Sequence, residues 1–266
     1  MPDKRQDTNV KYIDDIWDAD DPTTICGSSA FPEEAREEYR RAFKRVMEYG
    51  FNEGLPGDVM EFGVFGGFTA RIFAELMNRY GMPGSLLLFD TFEGFPESCS
   101  DVDRSSMKVS RQEYWAPNEL ATPVGTVEKI RQRLSKSIPS EKIEIHKGLF
   151  RETMKDAVWR RKAAIVHLDC DLFESALDVL VGLEKLKCLQ DGVVLLFDDY
   201  FCNRANPNFG EQAAFMAFLS RYEHYEAIPW FTYGWGAAAF FLHDRRVTDQ
   251  SGTEVVKWGP PRLDDA

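Results

Sequence analysis

The chain has 266 residues, 44% of them hydrophobic, with 44 acidic against 32 basic side chains and a formal net charge of -12. That length and apolar content suit one generous domain with a single core, and the negative balance argues against a nucleic-acid partner, whose phosphates need a positive footprint. With no apolar run of membrane-spanning length and no signal-type core in "MPDKRQDTNVKYIDD", a cytoplasmic protein without membrane contact is expected.

Residues 1–30 are polar and irregular. From Pro32, "PEEAREEYRRAFKRVMEYGF" opens with proline and two glutamates, a helix start, and places Ala35, Tyr39, Phe43, Val46 and Met47 on one face. This helix is either an active-site lid or ordinary core packing. "DVMEFG" then reads as a strand, followed by a glycine turn and the helix "FTARIFAELMNRY", which Gly81 closes. "SLLLFD" is a second strand, residues 97–121 a polar insertion, "PVGTVEKIRQRL" a helix, and "KIEIHKG" and "AAIVHLD" two further strands. "FESALDVLVGLEKLKCL" is helical and leads into the strand "GVVLLFDD", and "HYEAIPWFTYGWGAAAFFLHD" reads as two antiparallel edge strands joined by an aromatic loop. Short apolar strands separated by amphipathic helices predict a doubly wound α/β sheet, mostly parallel. The domain is expected over 55–245, with a loop and helical segment at 1–54 and a polar tail at 246–266.

Five scattered cysteines (Cys26, Cys99, Cys170, Cys188, Cys202) form no paired spacing and suggest free thiols in a reducing compartment. Four histidines (His146, His167, His224, His243) are too few and too dispersed for a His-rich metal site.

The chemistry gathers at strand ends. "MEFGVFGGFTAR" sets Glu61, Gly63, Gly66 and Gly67 between strand and helix, where glycines let the backbone approach a ligand. The spacing does not match the dinucleotide fingerprint, and a tight packing turn explains it equally well. Asp90 ends the next strand, where a carboxylate can accept both hydroxyls of a ribose or simply cap a turn. Asp169 ends "AAIVHLD", and Asp198 and Asp199 end the strand reached through the next crossover helix. Those strands should be parallel neighbours whose C-terminal ends converge. Three carboxylates meeting there form a hard oxygen site for Mg2+, with Mn2+ or Ca2+ as alternatives; two solvated caps are the plainer explanation. Asp171, three residues before Glu174, reads as the cap of the following helix. His167 reads as a satisfied core histidine. Asn203, Arg204 and Asn206 are either acceptor contacts or a solvated loop, and Trp230, Phe231, Tyr233 and Trp235 stack on an acceptor or form a homo-oligomer interface.

Taken in order, "VMEFGVFGGFTARIF", "LFDTFEGFP", "KGLFRETM", "HLDCDLFESALDVL" and "VVLLFDDYF" resemble the macrocin O-methyltransferase family over about residues 55–220. The resemblance implies a class I, Rossmann-like methyltransferase fold: a seven-stranded sheet with an antiparallel last strand. It implies S-adenosylmethionine as methyl donor, a bound Mg2+ or Mn2+, and a hydroxylated, glycosylated small-molecule acceptor in natural product biosynthesis. Carried over by position, Glu61, Phe62 and Gly63 would line the methionine end of the donor. Asp90, Thr91 and Phe92 would hold its ribose, and Gly148, Leu149 and Phe150 would flank its adenine. Asp169, Asp198 and Asp199 would ligate the metal, with Asp169 also the general base. Phe173 stands where the family has tyrosine, and 97–121 and "PWFTYGWG" depart from its pattern. Two rival functions are a glycosyltransferase using "DCD" as its D-x-D, and a regulatory domain binding a nucleoside and a cation without catalysis.

Overall fold

A computed structural model of the protein describes residues 33–110, 115–158 and 161–250. The irregular segment expected at 1–30 and most of the polar tail lie outside the described residues, as does the side chain of Ala35.

Helix α1 (Glu33–Asn52) buries Tyr39, Phe43, Val46 and Met47, the face its periodicity marks out. It lies on α2 (Phe68–Tyr80), where Phe43 stacks on Phe73 with ring centroids 4.4 Å apart. Gly81 ends α2 in the left-handed conformation, as its position predicts. Strands β1 (Asp58–Phe62), β2 (Leu86–Asp90), β3 (Ile143–Lys147), β4 (Ala163–Leu168) and β5 (Val193–Phe197) are parallel, and β4 and β5 are buried along their whole length. Burial on both faces is why they read as unbroken apolar runs. Strands β6 (Tyr225–Tyr233) and β7 (Ala237–Asp244) form the expected hairpin, with β7 antiparallel to both β5 and β6. The seven-stranded sheet has the order β3-β2-β1-β4-β5-β7-β6. Helices α1, α2 and α3 (Thr126–Leu134) cover one face, and α4 (Phe150–Ala157), α5 (Phe173–Lys185) and α6 (Gly210–Arg221) the other. Of these, α4 and α6 are additions to the elements read from the sequence.

The chain leaves β1 toward β2 and β3 on one side, then returns to place β4 and β5 on the other. The switch point lies between the C-terminal ends of β1 and β4, where open α/β sheets bind ligands. There Gly63 has φ 93°, and a Cβ on it would sit 1.9 Å from the carbonyl oxygen of Asp169. Only glycine permits that approach.

The start of α5 corrects one sequence expectation. Asp171 does not cap it: the N-cap position is Leu172, which has no side-chain bond to the helix. The cap is supplied from the insertion by Asp103, which is 1% exposed. Its Oδ1 accepts from the Phe173 N–H (2.7 Å) and its Oδ2 from the Glu174 N–H (3.0 Å). Glu174 in turn reaches out to the insertion, accepting from the Ser98 hydroxyl (2.8 Å) and the Cys99 N–H (2.7 Å). Acidic residues at this helix start were legible, but their partners are 70 or more residues away in sequence. Replacing Asp103 with Ala leaves two amide donors unanswered and is expected to cost about 2 kcal/mol in urea denaturation. Asp171→Asn, which removes charge but no cap, is expected to leave the cation-free protein as stable or more so; the reverse order would return the capping role to Asp171.

Candidate active site

Asp169 follows β4 directly, and its N–H continues the sheet by donating to the Phe62 carbonyl (2.8 Å). The N–H of Asp198, which follows β5, does the same toward the carbonyl of Leu168 at the end of β4 (2.9 Å). The two strand ends are therefore held side by side, as the crossover logic requires. Carboxylate oxygens of Asp169, Asp171 and Asp199 lie within 4.8 Å of one another. Opposite ligands of an ion coordinated at about 2.1–2.4 Å are about 4.2–4.8 Å apart, so the spacing fits one divalent cation. All three donors are hard oxygens, the set that Mg2+, Mn2+ or Ca2+ prefers.

Asp198 takes a different position. Its Oδ1 lies 3.8 Å from His167 Nε2 and, though buried, has no hydrogen-bond partner. The Tyr39 hydroxyl of α1 faces it, and burial followed by the charge of Asp198 pushes that phenol well above its ordinary range. The structure thus brings Asp169 and Asp199 together as predicted and adds Asp171, with Asp198 alongside.

His167 is wholly buried between two carboxylates: its Nδ1 is 2.9 Å from Glu61 Oε1, across the β1–β4 register, and its Nε2 faces Asp198. Burial opposes its charge, but Asp198 and Glu61 outweigh burial and hold its pKa raised to about 10. It is buried, as the sequence suggests, yet it is part of the acidic assembly and not a bystander to it.

Burial pushes the Asp169 carboxyl up, with the charge of Asp198 adding to it. Asp171 is raised by burial and then by Asp199 and Asp169, and Asp199 by burial and then by Asp198. Glu211, on the first turn of α6, was not singled out in the sequence: it is fully buried and likewise raised, by burial and then by Asp199. Its Oε1 accepts from the Cys170 N–H and its Oε2 from the Asp199 N–H, each at 3.0 Å.

The residues expected to hold the donor surround the glycine turn. Glu61 and Phe62 are fully buried. Glu61 is engaged with His167, and Phe62 stacks on Phe89 with centroids 4.6 Å apart, so neither side chain offers an open surface and contact there would use backbone. Asp90 is the hub of the turn. Its Oδ2 accepts from the Val64 and Phe65 N–H groups (2.7 and 2.8 Å) and its Oδ1 from the Phe92 N–H (2.6 Å). A carboxylate offers about four lone-pair positions, so about one remains for an incoming hydroxyl. Thr91 closes its own turn by donating to the Gly94 carbonyl (2.8 Å), and Phe92 is buried with φ 55°. Gly148 donates to the Asp90 carbonyl (2.9 Å), which brings Gly148, Leu149 and Phe150 beside the same strand end. Phe150 packs edge-on against Phe62.

The insertion packs beside the loops that carry Asp171 and Asp199. Trp115 packs with Leu172 and Cys202, joined by Phe95 and Val109. The Lys108 ammonium lies 5.5 Å from the Trp115 ring centroid and 5.9 Å from that of Trp235. Most of the stretch expected as an aromatic loop is strand: in β6 Trp230 stacks on Phe241, Phe231 lies under Arg45 and Tyr233 is buried, whereas Trp235, in the turn that follows, is 70% exposed. Asn203, Arg204 and Ala205 form a turn with φ of 57°, 61° and 56°, in which the buried amide oxygen and nitrogen of Asn203 lack partners. Three consecutive left-handed non-glycine residues are costly and characteristic of functional loops.

Residues 36–221, well over half of the chain, match the family model described as Macrocin-O-methyltransferase (TylF). Among curated proteins, the chain is 28% identical over 200 residues to Mycinamicin III 3''-O-methyltransferase of Micromonospora griseorubida, covering 68% of this chain and 76% of that one. It is also 28% identical over 150 residues to 8-demethyl-8-(2,3-dimethoxy-alpha-L-rhamnosyl)-tetracenomycin-C 4'-O-methyltransferase of Streptomyces olivaceus, covering 56% of this chain and 54% of that one. Among solved structures, the O-methyltransferase NovP superposes with a TM-score of 0.64 at 18% identity, over 89% of this chain and 98% of that one. The calicheamicin methyltransferase CalS11 follows with 0.61 at 21% identity, over 91% and 93%. The fold is therefore that of the class I O-methyltransferases, and the chain belongs to the macrocin O-methyltransferase family.

Proposed function

We propose that this O-methyltransferase moves a methyl group from S-adenosylmethionine to a sugar hydroxyl of a glycosylated natural product, using a divalent cation, Mg2+ or Mn2+. The observation that carries the reading is the convergence of Asp169, Asp171 and Asp199 at the switch point of the sheet. The two curated relatives support the acceptor class, one being named for a rhamnosyl-bearing tetracenomycin. The all-oxygen chemistry and close spacing of those three carboxylate donors support the cation.

The donor fits the turn that Gly63, Asp90 and Gly148 organise, with Asp90 able to take one more hydrogen bond. When bound, S-adenosylmethionine supplies an electrophilic methyl group; a cation held by Asp169, Asp171 and Asp199 supplies charge that stabilises a developing alkoxide. The chain's own residues do the rest. Asp169, at the end of β4 beside the other two carboxylates, is the residue placed to accept the hydroxyl proton. Asp198 and its partners His167 and Tyr39 fix the neighbouring charge. Trp115, Phe95 and Val109 shield the acceptor side from water, and the exposed ring of Trp235 offers a sugar a stacking surface.

Purified protein incubated with S-adenosylmethionine, Mg2+ and a panel of glycosylated acceptors is expected to form S-adenosylhomocysteine, and EDTA to abolish turnover. Asp169→Asn should lower turnover by about 10²–10⁴-fold while S-adenosylhomocysteine binding, measured by calorimetry, stays within about twofold. Activity retained in that variant would remove Asp169 from the chemistry; nucleoside binding with no turnover on any acceptor would favour the regulatory function.

A second expectation concerns pH. Carboxyls raised in the fold above their ordinary value of about 4 contribute stability below that value and lose it as pH rises through their folded pKa values. At neutral pH the ionised cluster therefore burdens the cation-free fold, and a bound cation relieves it. The rise in Tm on adding Mg2+ should be largest near pH 8 and shrink toward pH 5, as protons and cation compete for the same oxygens. A pH-independent increment in differential scanning fluorimetry would place the cation elsewhere.

A further inference from the structure

We propose that Glu211 is a positioning residue that sets the spacing of the two acidic strand ends and thereby the cation affinity of the Asp169–Asp171–Asp199 cluster; the inference rests on the metal-dependent reading above. Its two oxygens each hold one backbone loop. The Cys170 N–H lies between Asp169 and Asp171, so the 3.0 Å bond to Oε1 pins the loop after β4. The Asp199 N–H, 3.0 Å from Oε2, pins the loop after β5. One side chain thus bridges the two segments that supply every carboxylate of the cluster.

The scaffold behind it is rigid. Glu211 has no exposed surface, and α6 buries Ala213, Ala214, Phe215 and Phe218 close by. Phe215 packs on Phe197, the last residue of β5, with centroids 4.8 Å apart. Immediately before Glu211, Gly210 has φ 58°, and a Cβ on it would lie 3.2 Å from the Asp171 carbonyl oxygen, so the helix start is pressed against the acidic loop.

Packing alone does not explain a carboxylate here. A buried anion beside other anions is unfavourable, and an apolar residue of similar volume would fill the space without that repulsion but would leave both N–H groups unanswered. What a carboxylate provides, and glutamine does not, is two acceptor oxygens for two N–H groups. Glutamine offers one acceptor and turns an NH2 toward the other donor. Partners behind the ligands orient them, and losing such a partner typically weakens metal binding about 10–100-fold.

The test uses Mn2+ as probe, titrated into the full chain and followed by loss of the free-ion EPR signal. Calorimetry with S-adenosylhomocysteine and thermal denaturation are run on the same samples. Glu211→Gln is expected to weaken Mn2+ binding about 10–100-fold while nucleoside affinity stays within about twofold. Glu211→Asp, which keeps both acceptors on a shorter stem, should fall between it and the parent. A folded Glu211→Gln protein with unchanged Mn2+ affinity overturns the proposal. So does equal loss of Mn2+ and nucleoside binding, or failure of both variants to fold, since either makes Glu211 a residue of the fold and not of the site. Failure of the parent chain to bind Mn2+ at all is seen separately, in the first titration, and defeats the metal-dependent reading on which the proposal rests.

Discussion

Gathering like charges at the ends of two adjacent buried strands is the constraint around which this protein is built. Two unit charges about 4 Å apart repel by about 4 kcal/mol at an effective dielectric of 20, and a domain's entire net stability is about 5–15 kcal/mol. Asp169, Asp171, Asp198, Asp199 and Glu211 meet within one such region, and burial raises the proton affinity of four of them, Asp169, Asp171, Asp199 and Glu211. Such a cluster persists only with compensation. The chain supplies some of it: His167 set against Asp198, Lys108 near Asp199, and backbone N–H groups aimed at Glu211. The remainder is what the proposed cation would supply, and on that proposal stability and function are tied together.

Much of the surrounding architecture can be understood as holding that cluster in place. Gly63 lets the end of β1 approach the Asp169 carbonyl. Asp103 anchors the start of α5 from the insertion, so the loop carrying Asp171 is fixed at both ends. The Glu61–His167 pair links the acidic site to the buried interior of β1, beneath α1 and α2, where Phe43 and Phe73 pack edge-on against the His167 ring. A polar path thus runs inside an apolar layer, held by the Glu61–His167 hydrogen bond and by the charge of Asp198 beside the imidazole.

The sequence revealed the strands and where their chemistry ends, because a strand buried on both faces leaves an apolar run and a carboxylate at its end interrupts it abruptly. Asp90, Asp169, Asp198 and Asp199 were visible for that reason. Residues acting through long-range bonds left no such trace. Asp103 and Glu211 are acidic residues in polar or mixed stretches, and nothing local distinguishes a buried clamp from a solvated charge. At Asp171 the D-x-x-E before an apolar period is a local capping pattern, but the bonds that cap the helix come from Asp103 of the insertion. Helix α4 was missed since it is eight residues long and buries chiefly Met154. In α6, polar and charged residues at Glu211, Gln212, Ser220 and Arg221 frame an apolar run that blurs the helical period.

The loops around the carboxylates follow a different logic from the strands that carry them. The carboxylates sit on strand ends, where the sheet fixes backbone to within hydrogen-bond tolerance, as chemistry requires. The insertion, the left-handed turn at Asn203–Ala205 and the tip bearing Trp235 are loops, and the sheet does not dictate their conformation. Strain in the turn must be repaid by neighbouring contacts, yet both polar atoms of the Asn203 amide are buried without partners. A buried amide with no answer is costly, and the packing around the turn does not repay it. Conformational freedom therefore collects in the segments least constrained by the core, while the carboxylates stand on those constrained most.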